Sequence, residues 1–414
     1  MNRRDLRKLD QELTEFIGSM VEGMGRRERR EALAAYLTGL LLDSERKSIE
    51  PMAARLVDDP AEIQGMRQRL QQAVVVADWA DEEMRKRLAL KLDAELPGVE
   101  AFVVDDTGFP KKGEHSVGVA RQYSGTLGRI DNCQVATSLH LAGEAGSGCI
   151  GMRLFLTEMW ADDTRRRASV GIPTEIKHQK KWEIALAQID DALRWGVRHH
   201  VVLADAGYGD ATEFRAGLRQ RGLRYVVGVQ GDHRIWPPGV RPTVPAREPG
   251  APGRPRTRPH ADEKPQRIKM VAAGLGRDAF SLVRWREGTR GKQSSRFAAL
   301  WVTPAENHGR GAGRPPAEAV WLLVEWPDGE AEPTKFWFAA FPKTASLISL
   351  VRLAKLRWRV ERDYQELKQE IGLDHYEGRT WRGFHHHATL CAVAHGFLAL
   401  RRALFPPEEA MGAR

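Results

Sequence analysis

Ala101-Phe102-Val103-Val104-Asp105-Asp106-Thr107-Gly108-Phe109-Pro110 is where the chain changes texture. Four apolar residues in a row read as a buried strand, and two acids follow at its end. Ser116–Ala120 and Cys133–Leu141 read as two more strands joined by turns. A helix is predicted over 174–195, where Trp182, Leu186, Ile189 and Leu193 make one apolar stripe. His200–Ala204 is a buried strand ending in Asp205. Asp210 is placed to cap a helix running through Leu218 and closed by Gly222, and Tyr225–Val229 is a further strand. The order β-β-β-α-β-α-β predicts an α/β domain whose first strands form a meander.

Upstream, residues 1–95 read as helical. Apolar residues recur at helical spacing in Leu13, Phe16, Ile17 and Met20, and in Leu33, Tyr36, Leu37 and Leu40, with Pro51 and Pro60 as expected breaks. Arg26, Arg27, Arg29 and Arg30 form a basic cluster, read either as a solvated helix start or as a phosphate-contacting face. Downstream, 237–267 is dense in Pro and Arg and reads as extended. Strand-like runs follow at Phe280–Trp285, Phe297–Val302, Val320–Trp326 and Lys335–Phe341, then a long helix over 345–371 and a last one over 386–404. The resulting plan is a helical domain at 1–95, a first part of a core at 96–232, a β-rich insertion with its Pro/Arg-rich segment at 233–342, and C-terminal core helices at 343–414. No internal repeat is visible.

At 414 residues the chain is long enough for two or three domains. It carries 64 Lys and Arg against 55 Asp and Glu, a formal net charge of +9, which is compatible with a nucleic-acid partner without requiring one. Between Arg241 and Lys269 there are eight Lys or Arg against three Asp or Glu, a local +5. No apolar run is long enough for a membrane span, and no apolar stretch follows the basic start, so a soluble, cytoplasmic protein is expected. Cys133, Cys149 and Cys391 are too scattered for a disulfide framework or a CxxC zinc site.

The acids carry the chemistry. Asp106 (or its neighbour Asp105) and Asp205 are expected at strand C-termini, the edge where ligands of α/β sheets gather. Carboxylates there suit hard cations such as Mg²⁺, and two such ions serve phosphoryl transfer. The plainer reading is that Asp ends strands because it makes turns. On the long helix, Leu353, Leu356, Val360, Tyr364, Leu367 and Ile371 form an apolar stripe. Arg357, Glu361 and Lys368, spaced 4 and 7, share a flanking face. That face fits either a metal ligand between two phosphate-facing cations or a surface ion pair. His385-His386-His387 cannot converge on one ion from a helix and read as a helix start near DNA or solvent.

These residues resemble a known family. Arg357-Trp358-Arg359-Val360-Glu361, continuing through Arg362-Asp363-Tyr364-Gln365-Glu366-Leu367-Lys368, is similar to the C-terminal Tyr-Arg-Glu-Lys signature of DDE transposases from bacterial insertion sequences. Arg357, Glu361 and Lys368 fall on its Arg, Glu and Lys, and Ala354 stands where the tyrosine is expected. Val104–Gly113 with His115–Gly118 and Gln122-Tyr123 resembles the first-Asp motif, most like the insertion sequence 701 group, and there the second acid, Asp106, takes the catalytic place. Leu203–Gly209 resembles the second-Asp motif, and Gly372–Arg379 also resembles the group. The resemblance spans roughly 95–400. It implies a ribonuclease H-like core interrupted by a β-rich insertion, with Asp106, Asp205 and Glu361 holding two Mg²⁺ ions for which Mn²⁺ substitutes. The spacings, 99 residues from Asp106 to Asp205 and 156 from Asp205 to Glu361, leave room for the insertion before the Glu helix. It further implies a DNA transposase that cuts terminal inverted repeats and joins 3′-hydroxyl ends to target DNA, by cut-and-paste with a hairpin as one route. A homodimer in the synaptic complex follows. Arg357, Lys368, Lys111 and Lys112 are the expected DNA contacts, with Trp337 as a base-stacking ring. A ribonuclease H-like nuclease or resolvase without strand transfer, and an inactive transposase-derived DNA-binding protein, are the alternatives. Glu366 and Glu370 are reserves for the third acid.

Overall fold

The computed structural model describes residues 3–125, 127–244, 250, 252, 259–288, 291–305 and 317–404, without the side chains of 286–292. Part of the Pro/Arg-rich stretch, 245–249, 251 and 253–258, lies outside the described residues. The chain is a mixed α/β protein with a helical N-terminus. It divides into two compact units, residues 1–199 with 358–414, and residues 200–357.

The first unit opens with five helices: α1 (Arg3–Val21), α2 (Arg27–Leu41), α3 (Ile49–Arg55), α4 (Ile63–Gln71) and α5 (Asp81–Glu95). The predicted stripes are their buried faces, with Phe16, Ile17 and Met20 on α1 and Leu33, Tyr36, Leu37 and Leu40 on α2. Pro51 does not break the pattern. It sits in the first turn of α3, where its missing N–H costs nothing.

Four strands follow: β1 (Val99–Pro110), β2 (Ala120–Ser124), β3 (Arg129–Gly143) and β4 (Ser147–Leu154). β3 is long enough to pair along one edge with β1 and along the other with β2 and then β4, all antiparallel. β1 therefore runs through Asp105 and Asp106 to Pro110, and the two acids lie within the strand, not at its end as expected. Ser116–Ala120 is mostly turn, and the strand begins at Ala120. The helices α6 (Glu158–Asp162), α7 (Thr164–Val170) and α8 (Lys181–Trp195) come next. α8 starts later than predicted, after Pro173 and an irregular stretch.

The second unit contains β5 (Val201–Ala204), α9 (Ala206–Gly209), α10 (Thr212–Gln220), β6 (Tyr225–Val229), β7 (Arg234–Trp236), β8 (Gln266–Arg267), α11 (Ile268–Ala273), β9 (Ser281–Gly288), β10 (Gly291–Pro304), β11 (Val320–Trp326), β12 (Lys335–Ala339) and α12 (Leu347–Leu356). β5 and β6 are parallel. β12 adds to β6 antiparallel, then β11 and β10, so the β-rich hairpins continue the β5–β6 sheet edge to edge. Gly222 has φ +68 and closes α10, as the sequence predicts. Asp210 does not cap that helix. Its carboxylate accepts the Gln230 N–H instead.

The helix expected over 345–371 is not continuous. α12 stops at Leu356, α13 (Trp358–Gln365) follows after a turn at Arg357, and Glu366–Glu370 is a π turn. Such turns form where side chains pull the backbone off the α repeat. Here Glu366 is drawn to His395 and Arg402, while Lys368 reaches the Gly108 carbonyl.

The last helix, α14 (Trp381–Leu404), is capped by Thr380, whose hydroxyl accepts the Gly383 N–H. It starts five residues before the predicted start, so the three histidines lie inside it. His386 and His387 are buried and bonded to backbone carbonyls. The helix is buried on almost every side, as one without a polar face must be. Gly396 is needed there: a Cβ would stand 2.6 Å from Leu88 Cδ1.

Candidate active site

In a strand, neighbouring side chains point to opposite faces, and directly paired residues of adjacent strands share a face. Asp106 pairs with Thr137, and Asp105 with Ser138. The two acids of the motif therefore belong to different faces of β1, in different chemical surroundings.

On the Asp106 face, Oδ2 lies 2.5 Å from Lys181 Nζ and Oδ1 accepts the Thr137 hydroxyl at 3.3 Å. The pair is half-buried, with side-chain exposures of 34 % for Lys181 and 26 % for Asp106. Lys181 is the first residue of α8, and that helix is held by Gln188, whose amide donates to the Thr137 carbonyl at 3.1 Å. The sequence reading did not single out Lys181. It lies 75 residues from Asp106, and its only local signal is a Lys-Lys pair at a helix start.

The Asp105 face is closed by a buried polar chain. Asp363 of α13 accepts His140 Nδ1 at 2.7 Å and the Ser147 hydroxyl at 2.6 Å. His140 Nε2 lies 3.0 Å from Ser138 Oγ, and Ser138 Oγ lies 2.6 Å from the Tyr364 hydroxyl. Burial opposes a charged imidazole at His140, but Cys149 and the Asp363 carboxylate outweigh it and hold its pKa up at about 10. Asp363 itself is kept below the usual carboxylate range: burial works against it, and His140, His395 and Ser147 overcome it. Burial also opposes the Glu366 carboxylate. Hydrogen bonds from His395 and Arg362 and the charges of His395 and Arg402 bring it down to about 2. Glu366 is thus committed to this network, and Glu370 pairs with Arg402.

Glu361 is exposed on α13, between these anchors and the turn at Arg357. Lys368 donates to Gly108 O at 2.8 Å with its ammonium 5.2 Å from the Phe109 ring. Lys111 donates to Tyr376 O at 3.0 Å. Burial lowers both lysine pKa values. Lys111 is thus partly buried and engaged with the chain's own backbone, whereas Lys112 is exposed. Ala354, at the expected tyrosine position, is buried.

In the second unit, Asp205 directly follows β5 and caps α9, its Oδ1 accepting Gly207 N–H at 2.9 Å. Gly209 and Gly228 let α9 lie on β6, since a Cβ at Gly209 would stand 1.9 Å from the Gly228 carbonyl oxygen. Burial raises the Asp210 pKa, with the charge of Asp205 adding to it. Burial lowers the nearby His233 to about 4. Arg357 closes α12. Trp337 lies in β12 with Lys355 Nζ 5.5 Å from its ring; the same ammonium stands 4.6 Å from Trp285, 5.4 Å from Phe297 and 2.6 Å from Glu325 Oε2. One face of the expected base-stacking ring thus already carries an internal cation–π contact.

Among the described residues, no group of three or more His, Cys, Asp or Glu side chains is arranged to hold a metal ion. The acids nevertheless supply the carboxylate oxygens that hard cations take, and at Asp106 an ammonium stands in as the cation. No described helix is long and apolar enough to cross a membrane.

A family profile described as "DDE superfamily endonuclease" matches residues 19–292. The chain is also 30 % identical over 208 residues to a protein of Microchaete diplosiphon named "Probable transposase for insertion sequence element IS701". That match covers 50 % of this chain and 50 % of the relative, so the chain spans about half the length of the curated protein it matches.

Proposed function

Because this chain belongs to the DDE superfamily endonuclease family, we propose that it is a transposase that cuts the ends of an insertion sequence and joins their 3′-hydroxyls to target DNA. The observation that carries this reading is the half-buried Asp106 carboxylate, set in the first-Asp motif and already facing a cation. The likeness to the Microchaete protein supports it. In this reading the core is ribonuclease H-like, and Asp106, Asp205 and Glu361 supply oxygens to divalent cations, Mg²⁺ or Mn²⁺. When bound, such ions activate a water or hydroxyl nucleophile and stabilise the leaving 3′-oxygen. The chain's own residues hold the acids in place. Thr137 orients Asp106, the α9 turn fixes Asp205, and the His140–Asp363 pair seats the helix that carries Glu361. Arg357, Lys368, Lys111 and Lys112 neutralise phosphate, and Trp337 offers its remaining face to a base.

The N-terminal helices take part in DNA recognition. Arg26, Arg29 and Arg69, together with Glu28, line a groove of about 670 Å³ that also includes the small residues Ala32, Gly65 and Ala73. Guanidiniums beside small residues suit close approach of a phosphate backbone. Synapsis of two element ends requires two copies of the chain.

The test is a strand-transfer assay with the purified protein, oligonucleotides carrying the element's end sequence, a supercoiled target and Mg²⁺. Cleaved and joined products are expected. Cleavage without joined product replaces transposition with a nuclease or resolvase activity, and DNA binding without cleavage leaves only a binding protein.

A further inference from the structure

We propose that Lys181 is the built-in counter-ion of Asp106: its ammonium holds the carboxylate until a divalent cation takes that place, and then turns to a phosphate oxygen of the bound DNA. This rests on the reading of Asp106 as a metal ligand given above.

The contact itself is the first argument. Lys181 Nζ lies 2.5 Å from Asp106 Oδ2, on the oxygen that Thr137 does not occupy. The second argument is exchangeability. A partly exposed lysine–carboxylate pair is worth little, because water and side-chain freedom offset most of its attraction. A doubly charged ion competes well for the same oxygen. The second unit's Lys355–Glu325 pair is more enclosed, at 16 % and 4 % exposure with Trp285, Phe297 and Trp337 near the ammonium, whereas Lys181 is 34 % exposed with Phe155 at 5.7 Å.

The mobility needed is present in the right bond. The backbone of Lys181 is fixed at the first turn of α8, which Gln188 ties to Thr137, the same residue that touches Asp106. The flexible part is the four-carbon stem, whose strongly hydrated ammonium is a good point contact for phosphate. Lys111 and Lys368 donate to the Tyr376 and Gly108 carbonyls. The exchange replaces one cation by another at the same carboxylate oxygen, with no covalent bond made or broken. Its use is electrostatic. Until metal arrives, the ammonium balances the charge of a half-buried carboxylate.

The experiment measures Mn²⁺ binding to the full chain without DNA, by the loss of the free-ion electron paramagnetic resonance signal. Wild type, Lys181→Met, Lys181→Arg and Asp106→Asn are compared. Removing the competing ammonium in Lys181→Met is expected to tighten Mn²⁺ binding about two- to fivefold, the scale of one partly exposed pair. Lys181→Arg keeps a cation and is expected to bind Mn²⁺ no more tightly than wild type. In the presence of Mn²⁺, Lys181→Met is also expected to bind duplex DNA more weakly, with its salt dependence reduced by about one phosphate contact. Unchanged Mn²⁺ affinity in Lys181→Met, alongside a loss in Asp106→Asn, overturns the counter-ion role and leaves Asp106 as a ligand. Wild-type Mn²⁺ affinity in Asp106→Asn overturns the ligand reading itself. If Lys181→Met does not fold, Lys181→Gln, which keeps a polar stem and removes the charge, decides the same comparison.

Discussion

The two faces of β1 are built in opposite ways. On one, Asp363, His140, Ser138 and Tyr364 form a largely buried chain of hydrogen bonds that fastens α13 to the strands. On the other, Asp106 meets Lys181 and Thr137 in a half-open setting. The closed face carries shifted pKa values. A strongly perturbed group often marks a reactive site, but structural networks perturb pKa values as well. Here perturbation reports how α13 is seated on the strands. An acid that must exchange partners belongs where exchange is cheap.

The sharpest way to break this contrast is to exchange the roles of the two acids. Asp106→Asn is expected to lower strand cleavage on the order of a thousandfold, since a lost ligand removes several kcal/mol of transition-state stabilisation. Asp105→Asn is expected to cost far less in the same assay. The reverse order would move the chemistry to the closed face.

Stability should show the opposite ranking. Asp363→Ala leaves His140 buried without its carboxylate partner, and a loss of about 3–5 kcal/mol is expected in urea unfolding.

The closed face also carries a pH signature. His140 has a folded pKa raised to about 10, so its contribution is complete below the unfolded value near 6.5. That contribution is lost as pH rises through about 10. Glu366 has a folded pKa depressed to about 2, so its contribution is present above an unfolded value near 4.3 and lost as pH falls through about 2. Unfolding midpoints should therefore decline above pH 6.5, and His140→Gln should flatten that decline. A wild-type slope in His140→Gln would remove His140 from the account.

The smallest effect is expected on the open face. Lys181→Met should change unfolding stability by less than about 1 kcal/mol, as partly exposed pairs do. A loss as large as that of Asp363→Ala would erase the distinction between the faces.

Much of this fold was legible where apolar runs were continuous. β6 (Tyr225–Val229) and β11 (Val320–Trp326) have the bounds their sequences predict. The strand through Asp105 and Asp106 was cut short because polar residues read as its end. They are tolerated inside it by partners far along the chain, Lys181 and Thr137 among them. β4 (Ser147–Leu154) went unseen because glycines disguise it. Those at 148 and 151 make room for Leu92 and Gln188, which no local pattern announces. The continuous helix failed for a similar reason: side-chain partners on β1 and α14 reset its winding after Gln365. At the site, the motifs named the acids, but the division of Asp105 and Asp106 between two faces needed the register of β1 against β3.

The first unit is assembled from both ends of the described chain. The Tyr36 hydroxyl meets His387 Nδ1 at 2.8 Å across 351 residues, and Arg401 pairs with Glu12 across 389. During synthesis, α14 and the Glu361 helix leave the ribosome after the whole second unit. A nascent chain holds Asp106 for most of its translation without the segment that seats Glu361. In the reading proposed above, a half-made protein would be unable to cut the DNA it was copied from, and a prematurely terminated one would lose its first unit's buried closing helix.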